Sequence, residues 1–190
     1  MNKAVFLDRD GVINRKAREG AYVTRWEEIE ILPGVAAAIA RLNEAGLRVI
    51  VVTNQRCIAK GLVTAPEVEG IHQKMCRELS AEDAMIDAVY YCPHEIQPLC
   101  SCRKPAPGML FTAAREHEID LAKSWMIGDS DIDITAGKNA GCKTARLISG
   151  SEFPSVTADI VTNSLLDAVH KILQAEDLPQ YTATRTSALI

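Results

Sequence analysis

Long apolar runs are missing from this chain of 190 residues. Stretches such as 47-LRVIVVT-53 are far too short to cross a bilayer, and the opening MNKAVFLD lacks the apolar segment and small-residue cleavage site of a secretory signal. Neither a membrane protein nor an exported one is expected, so a cytoplasmic location follows. Positive charge is also not in excess: the formal net charge is -4, which gives no electrostatic footprint for nucleic acid. No segment repeats another, and no linker divides the sequence. What is present, 47% hydrophobic and 24% charged residues, is the balance of a globular domain with room for a substantial core. One domain over residues 1–175 is expected. Residues 176–190 show no clear period and are expected to be a loose tail.

Six cysteines are present, and a cytosolic compartment that keeps thiols reduced shifts their meaning from disulfides toward metal. Cys57, Cys76 and Cys142 stand alone. Cys92, Cys100 and Cys102 crowd together with His94 in 92-CPHEIQPLCSCRKP-105, as CxH followed closely by CxC. Three thiolates and one imidazole complete a tetrahedral set for zinc, and a closed set without an open position is structural rather than catalytic. The second pair runs straight into Arg103 and Lys104. A metal that fixes this loop therefore also fixes two basic side chains, and folding of the loop should depend on it.

Strand and helix patterns alternate along the chain. Segments 3–7, 47–52, 86–91, 124–128 and 143–148 are short apolar runs rich in β-branched or aromatic residues, each read as a buried strand. Helical patterns fall at 34–46, 64–80, 108–118 and 131–141, and a last strand and helix at 159–163 and 164–174. Such alternation implies right-handed crossovers: an α/β fold, doubly wound, with a mostly parallel sheet covered on both faces. In sheets of this kind ligands sit outside the carboxyl ends of the strands. There the sequence places Asp8 and Asp10 after the first strand, Thr53 and Asn54 after the second, and Asp129, with Ser130, Asp131 and Asp133, after the fourth.

Two carboxylates one residue apart at the end of a buried strand repel each other and hold water. A divalent cation would compensate, and a hard-oxygen site suits magnesium. With it, Asp8 can act as a nucleophile on phosphorus and Asp10 can protonate the leaving oxygen and later activate water. Gly11 lets the chain turn away. Thr53 can hold phosphoryl oxygens, and Lys104 is the best candidate to offset charge that builds in the transition state. Taken singly, Thr53 and Asn54 suit an ordinary strand-end turn, and Lys104 an ordinary surface charge. His72, His117, His170 and the isolated cysteines have no visible partners, and packing or solvent exposure accounts for them.

The stretches 8-DRDGVIN-14, 51-VVTNQ-55, 102-CRKPAPGM-109 and 128-GDSDIDI-134, in this order, resemble the haloacid dehalogenase superfamily of aspartate-nucleophile phosphatases, from about Ala4 to Leu173. Within it the chain is most similar to the D-glycero-D-manno-heptose 1,7-bisphosphate 7-phosphatases, with the histidinol-phosphate phosphatases next. The resemblance implies a Rossmann-like fold and an aspartyl-phosphate route, with Asp8 as nucleophile, Asp10 as acid/base and Thr53 and Lys104 as phosphate ligands. It implies magnesium on the Asp8 carboxylate, the Asp10 main-chain carbonyl and Asp129, with Asp133 in support and Asn54 and Arg103 toward the substrate. In both families the cysteine-rich loop carries zinc. Related enzymes often carry a large cap, but residues 14–33 are too few for one here. The implied substrate is a phosphorylated sugar on the route to lipopolysaccharide precursors, with Arg15, Lys16, Arg18, Arg56, Lys60 and Arg103 available for a second phosphate. A monomer is expected. Histidinol phosphate as substrate, a nucleic-acid 3'-phosphatase and a non-enzymatic phospho-receiver remain as alternatives.

Overall fold

In the computed structural model, residues 1–97, 100–149 and 155–178 are described. Ala4–Leu7 form β1, buried along its whole length. Its alternating side chains enter two separate cores, as the pleat requires. Val5 and Leu7 join α1 (Val35–Glu44), α5 (Leu165–Ala175) and the end of α2 (Ala65–Ser80). Ala4 and Phe6 join α3 (Gly108–Glu116) and α4 (Asp131–Ala140) on the opposite face. The remaining strands are β2 (Arg48–Asn54), β3 (Ala88–Cys92), β4 (Trp125–Gly128), β5 (Lys143–Leu147) and β6 (Ile160–Thr162). They form one sheet in the order β3-β2-β1-β4-β5-β6, and every recorded pairing is parallel. The chain builds outward from β1 to one side and then returns to build the other. The carboxyl end of β1, between β2 and β4, is thus the switch point where a crevice opens.

All six expected strands and five expected helices occur. Thr64 opens α2 with a capping box: its hydroxyl accepts from the Glu67 N–H while Glu67 Oε2 accepts from the Thr64 N–H at 2.7 Å. Two short 3-10 turns, Trp26–Glu28 and Leu121–Lys123, were not expected. The expectation that β3 is buried is corrected: Ala88 to Tyr91 are only half-buried, because β3 is an edge strand paired on one side. No large cap interrupts the described fold, and among the described residues no helix is long and apolar enough to cross a membrane.

The expected tail starts with attached residues. Leu178 packs on the α1/α5 core, and Glu176 accepts hydrogen bonds from Lys143 Nζ (2.6 Å), Trp125 Nε1 (3.2 Å) and Lys3 Nζ (3.4 Å). One carboxylate thus ties the end of α5 to the amino-terminal edge of the sheet. The rest of the expected tail, 179–190, lies outside the described residues. These partners outweigh burial and hold the Glu176 carboxyl below its ordinary value. Its stabilisation is therefore complete above the ordinary carboxylate pKa and fades as pH falls toward the lowered one. Glu176→Gln should lower the melting temperature by roughly 3–6 °C at neutral pH, from the loss of about 1–2 kcal/mol in charge-assisted hydrogen bonds. Thermal unfolding from pH 7 to pH 3 checks this, with the gap between the two proteins closing at the acid end and phosphate-ester turnover unchanged at pH 7.

Candidate active site

Where β1 ends, the Asp8 N–H bonds to the Ile127 carbonyl of β4 at 3.0 Å, so the neighbouring strand fixes the first carboxylate of the rim. Lys104 arrives beside it from the loop before α3, with only 2% of its surface exposed. Its Nζ donates to Asp8 Oδ1 at 2.8 Å and to the Val52 carbonyl of β2 at 2.7 Å, and lies 2.6 Å from Asp133 Oδ1. Burial alone would discharge this lysine, but Asp133 and Asp8 outweigh it and raise its pKa. Burial pushes Asp8 up to about 7 against the pull of Lys104, with Asp133 and Asp10 adding repulsion.

Asp133 is held from the other side by the first turn of α4. Its Oδ2 accepts from the Ser130 N–H at 3.1 Å and from the Ser130 hydroxyl, a capping box. Gly128 is required just before it, because a Cβ there would collide with the Asp133 side chain. Asp129 completes the acidic corner. Its Oδ2 pairs with Lys16 Nζ at 2.8 Å, its Oδ1 is buried without a hydrogen-bond partner, and burial raises its pKa despite Lys16. Gly11, with φ +94°, turns the chain so closely against Asp129 that a Cβ would overlap that carboxylate. Asp8, Asp129 and Asp133 each offer an oxygen within 4.8 Å of the others. A cluster of hard oxygens with one buried and unpartnered suits a divalent cation such as magnesium.

Asp10 is held differently. Its carboxylate accepts from Arg9 Nε (3.3 Å) and Nη2 (2.8 and 2.9 Å), Asn14 Nδ2 (3.0 Å) and Gln55 Nε2 (3.2 Å). Burial works against the charge, but Arg9 and these hydrogen bonds prevail, so its pKa is lowered. Asp8 and Asp10 line the same cavity of about 380 Å³, together with Thr53, Lys104 and Asp129. Lys16, Arg18 and Tyr22 form part of its far wall. A larger cavity of about 610 Å³ adjoins it across Lys16 and Asp129, with Asp129 as its sole carboxylate among the described residues. The reactive groups thus gather in the smaller one.

Asp8, Asp10, Thr53, Lys104, Asp129 and Asp133, each expected from the sequence, converge on the lining of this one cavity. Thr53 is buried and its hydroxyl accepts from Gln55 Nε2 at 2.9 Å. Asn54 spans the Lys104 backbone, donating to its carbonyl and accepting from its N–H, both at 3.1 Å, and so carries the lysine into place. Arg103 donates to the His94 carbonyl at 3.2 Å and is not among the cavity-lining residues. Arg56 pairs with Glu95, joining the loop after β2 to the cysteine-rich loop. The expectation that His72, His117 and His170 lack partners is corrected: His72 Nε2 lies 3.0 Å from Arg9 Nη1, His117 Nε2 lies 3.1 Å from the Tyr90 hydroxyl and His170 Nε2 lies 3.0 Å from Gln174 Nε2. Arg9, Gln55 and the Lys16–Asp129 pair were likewise missed. A buried arginine between two aspartates was itself a signal, because a guanidinium out of water must find acceptors.

The four residues of the cysteine-rich loop also meet. Cys92 Sγ is 3.6 Å from Cys100 Sγ and 3.4 Å from Cys102 Sγ, and Cys100 and Cys102 are 3.5 Å apart. His94 Nδ1 lies 3.2 Å from Cys102 Sγ and 3.5 Å from Cys92 Sγ. A tetrahedron with metal–sulfur bonds of about 2.3 Å has edges of roughly 3.7 Å, so the donor set fits such an ion. Disulfide bonds are absent from it.

The HAD-hydrolase-like family model matches residues 101–168. The chain is 38% identical to the D-glycero-beta-D-manno-heptose-1,7-bisphosphate 7-phosphatase of Rhodopseudomonas palustris, covering 86% of this chain and 89% of that one. Identity to the enzyme of the same name from Escherichia coli K12 is also 38%, covering 86% and 90%. Among solved structures, the D,D-heptose 1,7-bisphosphate phosphatase of B. bronchiseptica, complexed with magnesium and phosphate, superposes with a TM-score of 0.82 at 36% identity, covering 91% of this chain and 99% of that one.

Lys104→Met leaves two buried carboxylates facing each other without their cation and should cost about 3–5 kcal/mol in chemical denaturation. Asp133→Asn in the same background should restore part of that loss, because it removes one of the stranded charges.

Proposed function

Because the chain belongs to the heptose-1,7-bisphosphate 7-phosphatase family of haloacid dehalogenase-like hydrolases, we propose that it removes the 7-phosphate of D-glycero-D-manno-heptose 1,7-bisphosphate through an aspartyl-phosphate. It is a phosphoric monoester hydrolase. The observation that carries the residue roles is the buried Asp8–Lys104–Asp133 contact at the switch point, beside the unpartnered oxygen of Asp129.

On this reading Asp8 attacks phosphorus in line with the departing sugar oxygen, and water then releases the phosphoryl group from its carboxylate. Lys104 faces the phosphoryl oxygens and offsets their charge as it builds, with Thr53 as a further ligand. Asp8, Asp129 and the main-chain carbonyl of Asp10 would hold magnesium, which would supply the charge neutralisation that lets a dianionic ester approach three carboxylates. Arg9 keeps Asp10 ionised in the free site. Substrate phosphate brings negative charge beside Asp10 and raises its proton affinity. Asp10 therefore takes up a proton from solvent as the ester binds, gives it to the departing sugar oxygen, and as a carboxylate again takes one from the attacking water.

Cys92, His94, Cys100 and Cys102 we assign to structural zinc, supported by the spacing of their donor atoms. Its effect on the site is mechanical. The loop runs into Lys104 through Arg103, so a closed metal cross-link limits how far the ammonium can wander from Asp8. A cytoplasmic monomer belongs to the same reading. The names of the matched relatives favour heptose bisphosphate over histidinol phosphate, and the enzymatic family sets aside a phospho-receiver.

Inorganic phosphate release, measured with and without magnesium, should be fastest from heptose 1,7-bisphosphate and weak from histidinol phosphate and 3'-phosphorylated oligonucleotides. Asp8→Asn should abolish it with an unchanged circular dichroism spectrum; wild-type turnover in that variant would remove Asp8 from its role. Elemental analysis of protein prepared without chelators should find one zinc per chain. Cys100→Ser should lose that zinc and expose the loop to proteolysis, whereas metal-free wild-type protein would overturn the assignment.

A further inference from the structure

Arg9, between the two aspartates of the site, is 1% exposed. A buried guanidinium has five donors and no acceptor, and each donor away from water needs a partner. The Nε and Nη2 edge is committed to Asp10. Nη1 meets His72 Nε2 at 3.0 Å. Arginine can only donate, so the ring nitrogen presents its lone pair and the ring proton sits on Nδ1. Burial and the facing Arg9 keep the imidazole neutral, with its pKa lowered to about 3. His72 lies on the buried stripe of α2 with Val68, Ile71, Met75 and Leu79. Its ring centroid is 5.8 Å from that of Tyr91, whose hydroxyl donates to Glu69 Oε1 at 2.6 Å. The chain of contacts thus runs from Tyr91 on the edge strand, through the imidazole and the guanidinium, to the Asp10 carboxylate.

We propose that His72 is a positioning residue for phosphoryl transfer: by accepting from Arg9 Nη1 it leaves the guanidinium one orientation, in which the opposite edge clamps the Asp10 carboxylate beside the leaving oxygen. The role rests on the reading of Asp10 as the acid. Asn14 and Gln55 also hold Asp10, so losing the histidine weakens the clamp without releasing it.

Leaving groups separate this role from a structural one. A sugar alkoxide needs its proton to depart, whereas p-nitrophenolate leaves without help, so only the first reaction depends on where Asp10 points. The ratio kcat/KM ends at the first irreversible step, the departure itself, and is unaffected by later hydrolysis of the aspartyl-phosphate. His72→Phe keeps a ring of similar shape but has no acceptor, and His72→Gln returns an acceptor near the position of Nε2. In His72→Phe, kcat/KM for heptose 1,7-bisphosphate should fall about tenfold while that for p-nitrophenyl phosphate stays within about twofold, and His72→Gln should recover most of the loss. Should the Phe variant not fold, His72→Met, which fills the same space with only a weak acceptor, takes its place. Asp10→Asn is run in parallel. An equal fall on both esters in the His72 variant, with the Asp10 variant still selective for the alkyl ester, overturns the positioning role alone. An Asp10 variant that shows no selectivity between esters overturns the acid assignment and the inference with it.

Discussion

One ammonium buried between two carboxylates organises the carboxyl rim of the sheet. Lys104 Nζ touches Asp8 after β1, the Val52 carbonyl of β2 and Asp133 on α4, so a single nitrogen joins three elements and the loop that carries it. None of these groups can take a charge out of water alone at low cost, and each is tolerated because the others are present. The sheet order makes this possible. With β1 between β2 and β4, residues far apart in sequence end up facing one crevice.

The acidic corner is graded in how firmly it is held. Asp133 is fixed from both sides, by Lys104 and by the capping turn at Ser130. Asp129 is fixed on one oxygen only, by a Lys16 side chain that is 59% exposed. Asp10 is clamped by Arg9, Asn14 and Gln55, which favour its ionised form in the free site. Three aspartates of one rim thus have different environments from the same ingredients: one paired with a buried lysine, one left with an unpartnered oxygen and one clamped by an arginine.

Much of this was legible in sequence, for identifiable reasons. Apolar runs and helical periods marked all six strands and five helices because the sheet is covered on both faces, which makes its strands continuously apolar. The half-exposed β3 was misjudged because only pairing order decides which strand lies at the edge. Asp8 and Asp129 could be found because each follows a strand, Thr53 because it stands next to last in β2, and Lys104 because it lies in the loop before a helix. The supporting partners were hidden because they are tertiary neighbours. Arg9 and His72 are 63 residues apart, and Lys16 and Asp129 are 113 apart. His72 carried a faint signal as a polar residue on the apolar stripe of α2. The grip of Asn54 on the Lys104 backbone depends on the path of the intervening loop, which no periodicity reports.

The central claim is that the carboxylate held by Lys104 captures phosphorus before water does. The stereochemical course of hydrolysis tests this most directly, using a phosphorothioate ester made chiral at phosphorus with two oxygen isotopes and hydrolysed in water carrying the third. Two successive in-line displacements, first by Asp8 and then by water, should give net retention of configuration. Net inversion would mean a single direct attack by water and would contradict the role assigned to Asp8.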